Sequence, residues 1–174
     1  TRCCRHAIAI ALASTQPLAN RLQLSATING RRIFGNAVST QIDSTLSAID
    51  SLPGRVHWVG GGKSKDNKYQ QPGSQLSRRI ASAHLFGAVA SPRAQVMSGQ
   101  VMTSVHEHLE QALDAAWNAS EAGDTILFSP AFASFDQFPN FATRARRFDS
   151  WVRCLQKETA PSDRTCSDLP TVQG

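Results

Sequence analysis

The sequence predicts an α/β domain: a mostly parallel sheet flanked by helices, with a β-hairpin at its N-terminal end. Short apolar, β-favouring runs alternate with segments whose apolar residues recur at helical spacing. An Asn29-Gly30 pair separates two alternating runs, which indicates a hairpin because both residues tolerate positive φ. The chain has 174 residues, 41% of them hydrophobic. It is therefore long and apolar enough for one domain with a buried core.

The start of the chain allows two interpretations. Arg2 and Arg5 precede an alanine-rich apolar run over residues 7–13, a pattern shared by signal peptides and short helices. Because the sequence does not begin with Met, we favour a truncated helix that belongs to a preceding domain and ends by residue 17. No run reaches the roughly 20 apolar residues that a membrane span needs.

The first half of the fold contains a hairpin, a helix and a strand. The hairpin is predicted over residues 21–34. The helix is predicted from its face of Ile42, Thr45, Leu46 and Ile49, and Pro53-Gly54 is expected to end it. Ser39-Thr40 is expected to supply the N-cap of that helix. A buried strand at residues 55–59 then leads into a glycine-rich loop with a lysine, Gly60-Gly61-Gly62-Lys63.

The middle of the chain carries weaker signals. A loop is predicted over residues 67–75, a helix over residues 76–84 and a strand over residues 85–90. A short helix with Val101 and Met102 is predicted over residues 93–104. A stronger helix, with Leu109, Ala112, Leu113, Ala116 and Trp117 on one face, ends at Gly123.

The last predicted elements are a buried strand, a tight turn and a helix. A buried strand over residues 125–128 stops at Pro130, which cannot donate to a sheet ladder. A tight turn through Ala131, Ala133 and Ser134 follows, and a helix is expected from about Phe135. Its predicted buried stripe is Phe138, Phe141, Ala145, Phe148 and Val152.

We expect three of these strands, at residues 56–59, 85–90 and 125–128, to be neighbours with their carboxyl ends at one edge. Open α/β sheets bind ligands at that edge. It is therefore where the glycine-rich loop and the tight turn are expected to meet.

Composition excludes several classes of function. The net charge of +5 is spread along the chain without interleaved aromatic residues, which disfavours nucleic-acid binding. The four cysteines include no C-x-x-C pair, so free thiols in a reducing cytoplasm are expected. His106 and His108 have no usefully spaced third ligand, so they are interpreted as surface polar residues and no metal site is predicted.

The stretch from Gly123 to Phe148 resembles the signature of the Mur ligase C-terminal domain. The matching residues are Gly123-Asp124, Ser129-Pro130-Ala131, Ala133-Ser134-Phe135-Asp136-Gln137-Phe138, Asn140-Phe141, Arg144 and Phe148. Within the family, the string is most similar to the ligases that add D-glutamate to the peptidoglycan precursor. The resemblance implies a Rossmann-like domain over residues 18–156, preceded by a remnant of the central domain at 1–17. Residues 157–174 contain Thr, Ser, Asp and Pro without periodicity and are expected to form a disordered tail.

The resemblance also implies which residues contact ligands. Acceptor contacts are implied at Lys63, Ser134, Phe135, Phe141 and Thr40. The family lysine of the glycine-rich loop falls on Lys63 or Lys65, and we prefer Lys63 because Asp66 then matches a family Asp. Asn36 and Ser39 are implied to lie near the nucleotide.

Two departures from the family pattern bear on function. The family Asp and Lys that follow the hairpin are replaced by Asn36 and Val38, and no Walker A motif is present. The resemblance implies that the full-length D-glutamate-adding ligase uses ATP and Mg in the cytoplasm to join D-glutamate to UDP-N-acetylmuramoyl-alanine, with its P-loop in the central domain. No catalytic residue is therefore predicted here, and this chain alone is expected to bind no cofactor and to be inactive.

Three hypotheses follow. The first is the acceptor-binding domain of a D-glutamate-adding ligase, which acts with the central ATPase domain. The second is a degenerate Mur-like domain that serves as a structural or partner-binding module, as Ala37, Val38 and the missing P-loop suggest. The third and weakest is a basic nucleic-acid-binding domain.

Overall fold

A computed structural model of the chain describes residues 20–64 and 73–160. Its strands are β1 (Gln23–Ile28), β2 (Arg31–Gly35), β3 (Val56–Gly61), β4 (Ser82–Phe86), β5 (Met102–His106) and β6 (Thr125–Ala131). Its helices are α1 (Ile42–Asp50), α2 (Gly73–Ser77), α3 (Ala90–Met97), α4 (Leu109–Ala119) and α5 (Phe141–Thr159).

The strands form one mixed sheet in the order β1-β2-β6-β3-β4-β5. β1 and β2 pair antiparallel, and the other four pairings are parallel. Asn29 and Gly30 form the hairpin turn with φ of 47° and 75°. The predicted fold class and the N-terminal hairpin are confirmed.

β6 lies at the centre of the sheet. All seven of its residues are buried, as expected for a strand with parallel neighbours on both sides. Val59 of β3 is opposite Phe128 of β6, and Gly61 is opposite Ala131. Gly61 also pairs with Phe86 of β4. The three strands predicted to be neighbours therefore end at one edge, as expected.

A core layer lies on each face of the sheet. On one face, α4 and α5 cover a cluster that contains Phe128 and Phe148, whose rings stack with centroids 4.8 Å apart. On the other face, α1 and α3 cover a cluster around Trp58 and Leu127. Sequence periodicity located both layers, because apolar side chains at helical and strand spacing are buried together.

Three predictions for the middle of the chain are wrong. The predicted strand over residues 85–90 is the end of β4, a turn and the first residue of α3. The predicted helix over residues 76–84 is the short α2 followed by the start of β4. The predicted helix over residues 93–104 is α3 followed by β5, so Val101 and Met102 lie outside any helix. β4 and β5 contain polar residues that hydrogen-bond to neighbouring strands. Ser82 bonds to His57 of β3, and His84 bonds to Ser104 of β5, which permits the burial of Ser82 and His84.

The last helix begins later and ends later than predicted. It starts at Phe141, where the Asn140 side chain accepts a hydrogen bond of 2.8 Å from the amide of Thr143. Phe141 is 51% exposed, so its place in the buried stripe was wrong, whereas Ala145, Phe148 and Val152 are buried as predicted. The helix continues to Thr159, past the predicted domain end at residue 156.

The N-cap prediction for the first helix is also wrong. Gln41 is the residue that precedes α1, and it makes no side-chain capping bond. The Ser39 hydroxyl lies 3.3 Å from the hydroxyl of Thr45, within the helix. His106 is half-buried and bonded to Ser104 rather than a free surface residue, whereas His108 is exposed.

Several predictions lie outside the described residues. These are the helix remnant over residues 1–17, Cys3, Cys4 and Cys166, most of the loop over 67–75, Lys65, and all but the start of the tail. Cys154 is exposed and is a free thiol. Within the described residues, no helix is long and apolar enough to cross a membrane.

Candidate functional site

The glycine-rich loop after β3 is joined directly to the turn after β6. The amide of Lys63 donates to the carbonyl of Ala133 at 2.8 Å, and the amide of Ala133 donates back to Lys63 at 3.2 Å. The Lys63 side chain is exposed beside this bridge. The structure thereby brings together two stretches that are about 70 residues apart in the sequence, the basic loop and the turn with Ser134.

The glycines of this loop are required for packing. The Gly62 amide donates to the carbonyl of Phe86 at 3.3 Å. Because the Lys63 amide is also engaged, neither of these two amides is free to bind an anion. A Cβ on Gly61 would lie 2.2 Å from the Phe86 carbonyl oxygen, and one on Gly62 would lie 2.1 Å from that of Ala133.

Replacing Gly61 with alanine is therefore expected to destabilise the domain by about 1–3 kcal/mol, the usual cost of overpacking. The nearest atom to the added methyl belongs to the backbone of β4, so relief requires a shift between the paired strands. Urea denaturation of the two proteins measures the effect. An unchanged midpoint would show that β3 and β4 separate here at no cost.

The turn after β6 buries the side chain of Ser134 and exposes that of Phe135. Ala131 has a φ of 65°, a left-handed conformation that turns the chain out of the sheet. The carbonyl of Ser134 then accepts hydrogen bonds from the amides of Gln137 and Phe138, at 3.2 and 2.9 Å. As a result, Ser134 is only 4% exposed, whereas Phe135 is 70% exposed.

Arg144 connects the chain segments that carry the site. Its side chain is fully buried, and its guanidinium donates to the carbonyl oxygens of Phe132, Ala37 and Gly61 at 3.0, 3.4 and 3.5 Å. Burial lowers the pKa of Arg144 to about 10, while the negative charge of Asp136 opposes this shift. Arg144 thus stays charged at neutral pH. Sequence analysis placed it in the family string but did not foresee this role.

A second group of predicted residues lines a cleft of about 380 Å³ beside α1. Thr40 is exposed on it, but Asn36 and Ser39 are buried. The Asn36 amide donates to the Ser129 hydroxyl at 3.1 Å and accepts from the Leu22 amide at 3.3 Å. The polar side-chain atoms of Asn36 are therefore engaged inside the domain.

The arrangement around Lys63 can bind a small anion that has an apolar part. Lys63 offers an ammonium group at the sheet edge, and the exposed rings of Phe135 and Phe141 offer apolar surface on the turn and the helix that follow β6. In residues 20–64 and 73–160, no group of three His, Cys, Asp or Glu side chains could hold a metal ion.

Comparison with known sequences gives relatives over most of the chain. It is 33% identical over 150 residues to the UDP-N-acetylmuramoylalanine–D-glutamate ligase of Solibacter usitatus, covering 86% of this chain and 34% of the relative. It is 32% identical over 149 residues to the enzyme of the same name from Koribacter versatilis, covering 85% and 32%. The chain spans about a third of the length of these curated relatives. No protein-family model matches it.

Solved structures share the fold at lower sequence identity. Escherichia coli FolC in complex with ADP superposes with a TM-score of 0.61 and 19% identity, covering 90% of this chain and 36% of that one. The MurF ligase of Thermotoga maritima in complex with ADP gives 0.59 and 17%, covering 86% and 34%. These similarities establish the fold and the extent of the match.

Proposed function

Because this chain belongs to the Mur ligase family and has the fold of its C-terminal domain, we propose that it binds the acceptor amino acid of an ATP-dependent, D-glutamate-adding ligase. The finer assignment rests on one observation. The Lys63–Ala133 bridge places a lysine loop beside the turn that carries Ser134 and Phe135. A dicarboxylate amino acid needs a cation for a carboxylate and apolar surface for its aliphatic stem, and the two loops offer both.

Each proposed contact has a separate role. The Lys63 ammonium pairs with one carboxylate, Ser134 offers a hydroxyl donor, and the rings of Phe135 and Phe141 shield the stem from water. Thr40 offers a second hydroxyl from its exposed position before α1. Val38 stands where the family has a lysine, so the other carboxylate meets a weaker partner.

The remaining components come from outside the described residues. ATP and Mg, the UDP-N-acetylmuramoyl-alanine substrate and the central ATPase domain belong to the full-length ligase. The chemistry that ATP supplies there is activation of a carboxylate by phosphorylation. This chain contributes positioning of the incoming amine and carboxylates, in the cytoplasm, and alone is proposed to be inactive. We place the nucleotide near Asn36 and Ser39 only by resemblance, since their side chains bond internally.

Titration of the isotope-labelled chain with D-glutamate tests the acceptor site. We expect a dissociation constant in the millimolar range or weaker, which corresponds to about −4 kcal/mol or less binding free energy. Amide shifts should cluster at Lys63, Ser134 and Phe141. Lys63→Met should remove a charge-assisted hydrogen bond of about 1.5–3 kcal/mol and weaken binding roughly ten- to hundredfold.

Lys157→Met is the matched control, because Lys157 is an exposed lysine in the last turn of α5. It removes the same charge without touching the proposed site and should leave the shifts unchanged. The proposal fails if the shifts lie elsewhere, if L-glutamate or chloride reproduces them, or if Lys157→Met weakens binding as much as Lys63→Met does.

A degenerate Mur-like module is the second candidate. It is favoured by the replacements at Asn36 and Val38 and by the internal hydrogen bonds of Asn36. On this alternative the fold persists as a structural or partner-binding unit, and D-glutamate produces no localised shifts. The same titration therefore separates the two candidates.

A further inference from the structure

A continuous chain of side-chain hydrogen bonds begins just before β6 and crosses strands β3, β4 and β5. It links an aspartate, three histidines and two serines, which we call the His–Ser relay: Asp124, His57, Ser82, His84, Ser104 and His106. Its distances, in that order, are 3.0, 2.7, 2.8, 2.8 and 2.7 Å. It runs from the amino edge of the sheet, just before β6, to the end of the edge strand β5.

The hydrogen bonds of a neutral relay all point the same way. Asp124 as a carboxylate can only accept, so His57 must carry its proton on Nε2 and accept on Nδ1 from Ser82. Ser82 then accepts from Nε2 of His84, which accepts on Nδ1 from Ser104. Ser104 accepts in turn from Nε2 of His106. The Nδ1 atom of His106 is thus the terminal acceptor of the sequence.

The interior of the relay is shielded from other charged groups of the described chain. The side chains of His57, Ser82 and His84 are 1%, 0% and 2% exposed. The helix packed over them, α4, buries only apolar residues: Leu109, Ala112, Leu113 and Ala116.

The charged groups nearby lie at the ends of the relay or are bound elsewhere. At one end, Arg55 acts on Asp124, and at the other, Glu107 and His108 follow His106 in the chain. The two acidic residues of α4 bind α5, since Glu110 lies 2.8 Å from Arg147 and Asp114 accepts from Trp151 at 2.7 Å.

The ends of the relay differ in how well they hold a positive charge. Burial alone would raise the pKa of Asp124, but hydrogen bonds from the Glu121 amide and from His57, with nearby positive charge, lower it. Burial, followed by the charges of His106 and His57, lowers the pKa of His84 to about 4. Burial also lowers the pKa of His106, which precedes the positive end of the α4 dipole. A charge is therefore best placed next to Asp124.

We propose that the His–Ser relay carries one proton from His106 at the sheet edge to buried His57, where Asp124 pairs with the resulting imidazolium. The proton enters at Nδ1 of His106, and the Nε2 proton of His106 passes to Ser104, whose own proton passes to Nδ1 of His84. The Nε2 proton of His84 passes to Ser82, whose proton passes to Nδ1 of His57. One proton is gained, and His84 and His106 end neutral with their tautomers reversed.

The entry point lies beside the turn that carries Ser134. His106 is followed by Glu107, whose carbonyl accepts a hydrogen bond from the Gln137 side chain. The relay thus couples proton uptake at His106, at the carboxyl edge of the sheet, to a positive charge on His57, which is buried near the amino edge. It does not depend on which ligand that edge binds.

Histidine-selective nitrogen NMR of the full chain tests the relay from about pH 8 to about pH 5, where imidazoles change charge. We expect His57 to become an imidazolium although its side chain is 1% exposed. At the same time, the proton of neutral His84 should move from Nε2 to Nδ1. The relay is refuted if His57 stays neutral in the folded protein, or if His84 keeps its Nε2 proton while His57 charges.

Variants at Ser104 test the path. Ser104→Ala interrupts it, and the averaged His57 signal of the native chain should split into separate charged and neutral signals because exchange becomes slow. Ser104→Thr keeps a hydroxyl and should restore the averaged signal. His108→Gln, which removes an exposed imidazole outside the relay, should change nothing. Fast exchange in Ser104→Ala would exclude the path, and if that variant does not fold, the tautomer of His84 still decides.

Discussion

Replacing Phe148 with alanine is expected to lower the free energy of unfolding by about 3–5 kcal/mol, the usual loss for a buried phenylalanine. Phe148 is 1% exposed and stacks on Phe128 with ring centroids 4.8 Å apart. Its ring also packs against Gly35, where an added Cβ would lie only 2.8 Å away. Because the ring contacts both β6 and β2, the resulting cavity would lie between the last helix and the centre of the sheet.

Phe141→Ala is the matched control, since it removes the same side chain from the same helix at a position that is 51% exposed. Surface substitutions of this kind usually change stability by less than about 0.5 kcal/mol. Urea denaturation of both variants gives the comparison. Equal losses, or an unchanged midpoint for Phe148→Ala, would contradict the packing described for α5.

Acid is expected to destabilise the domain through His84 by about 3 kcal/mol. The pKa of His84 is lowered from 6.5 to about 4, chiefly by burial and then by the charges of His106 and His57, and each pKa unit corresponds to about 1.4 kcal/mol. The unfolded chain takes up the proton first as pH falls below 6.5, whereas the folded chain resists until about 4. The contribution of neutral His84 to stability is therefore fully present above pH 6.5, the pKa in the unfolded chain. It is lost as the pH falls from 6.5 to about 4.

Denaturation at a series of pH values measures this loss, with His84→Gln as the test variant. The variant should be less stable at neutral pH, because it breaks hydrogen bonds to Ser82 and Ser104. Its further loss on acidification should be smaller than that of the native chain by about 3 kcal/mol. His108→Gln should follow the native curve. Parallel curves for the native chain and His84→Gln would contradict the prediction.

The sequence predicted the elements whose buried residues are apolar. It did not predict the strands whose buried residues are polar. The hairpin, β3, β6 and α4 contain apolar residues at strand or helix spacing, and their positions were foreseen. β4 and β5 contain serines and histidines that other strands satisfy through the His–Ser relay. A polar residue buried by a partner many residues away has no local signal, so the first residues of β4 and of β5 were assigned to helices.

The proximity of the two loops was predicted for a different reason. The rule that parallel strands end at one edge was enough to bring Lys63 near Ser134. The buried guanidinium of Arg144 was not foreseen as a link, because its acceptors are carbonyls of three separate segments. The later start of α5 could have been found, since Asn140 follows Pro139 and precedes Thr143, a common N-cap pattern.

The position of β6 has a consequence for how the domain is made. It is the last strand in the sequence, yet it joins β2 to β3. A growing chain that has not reached residue 125 can form only a hairpin and a separate sheet of β3, β4 and β5. Each of these exposes an unpaired backbone edge of the kind that attracts other chains. During synthesis the two pieces therefore stay separate until β6 emerges. β6 then joins them and pairs with the exposed edges of β2 and β3.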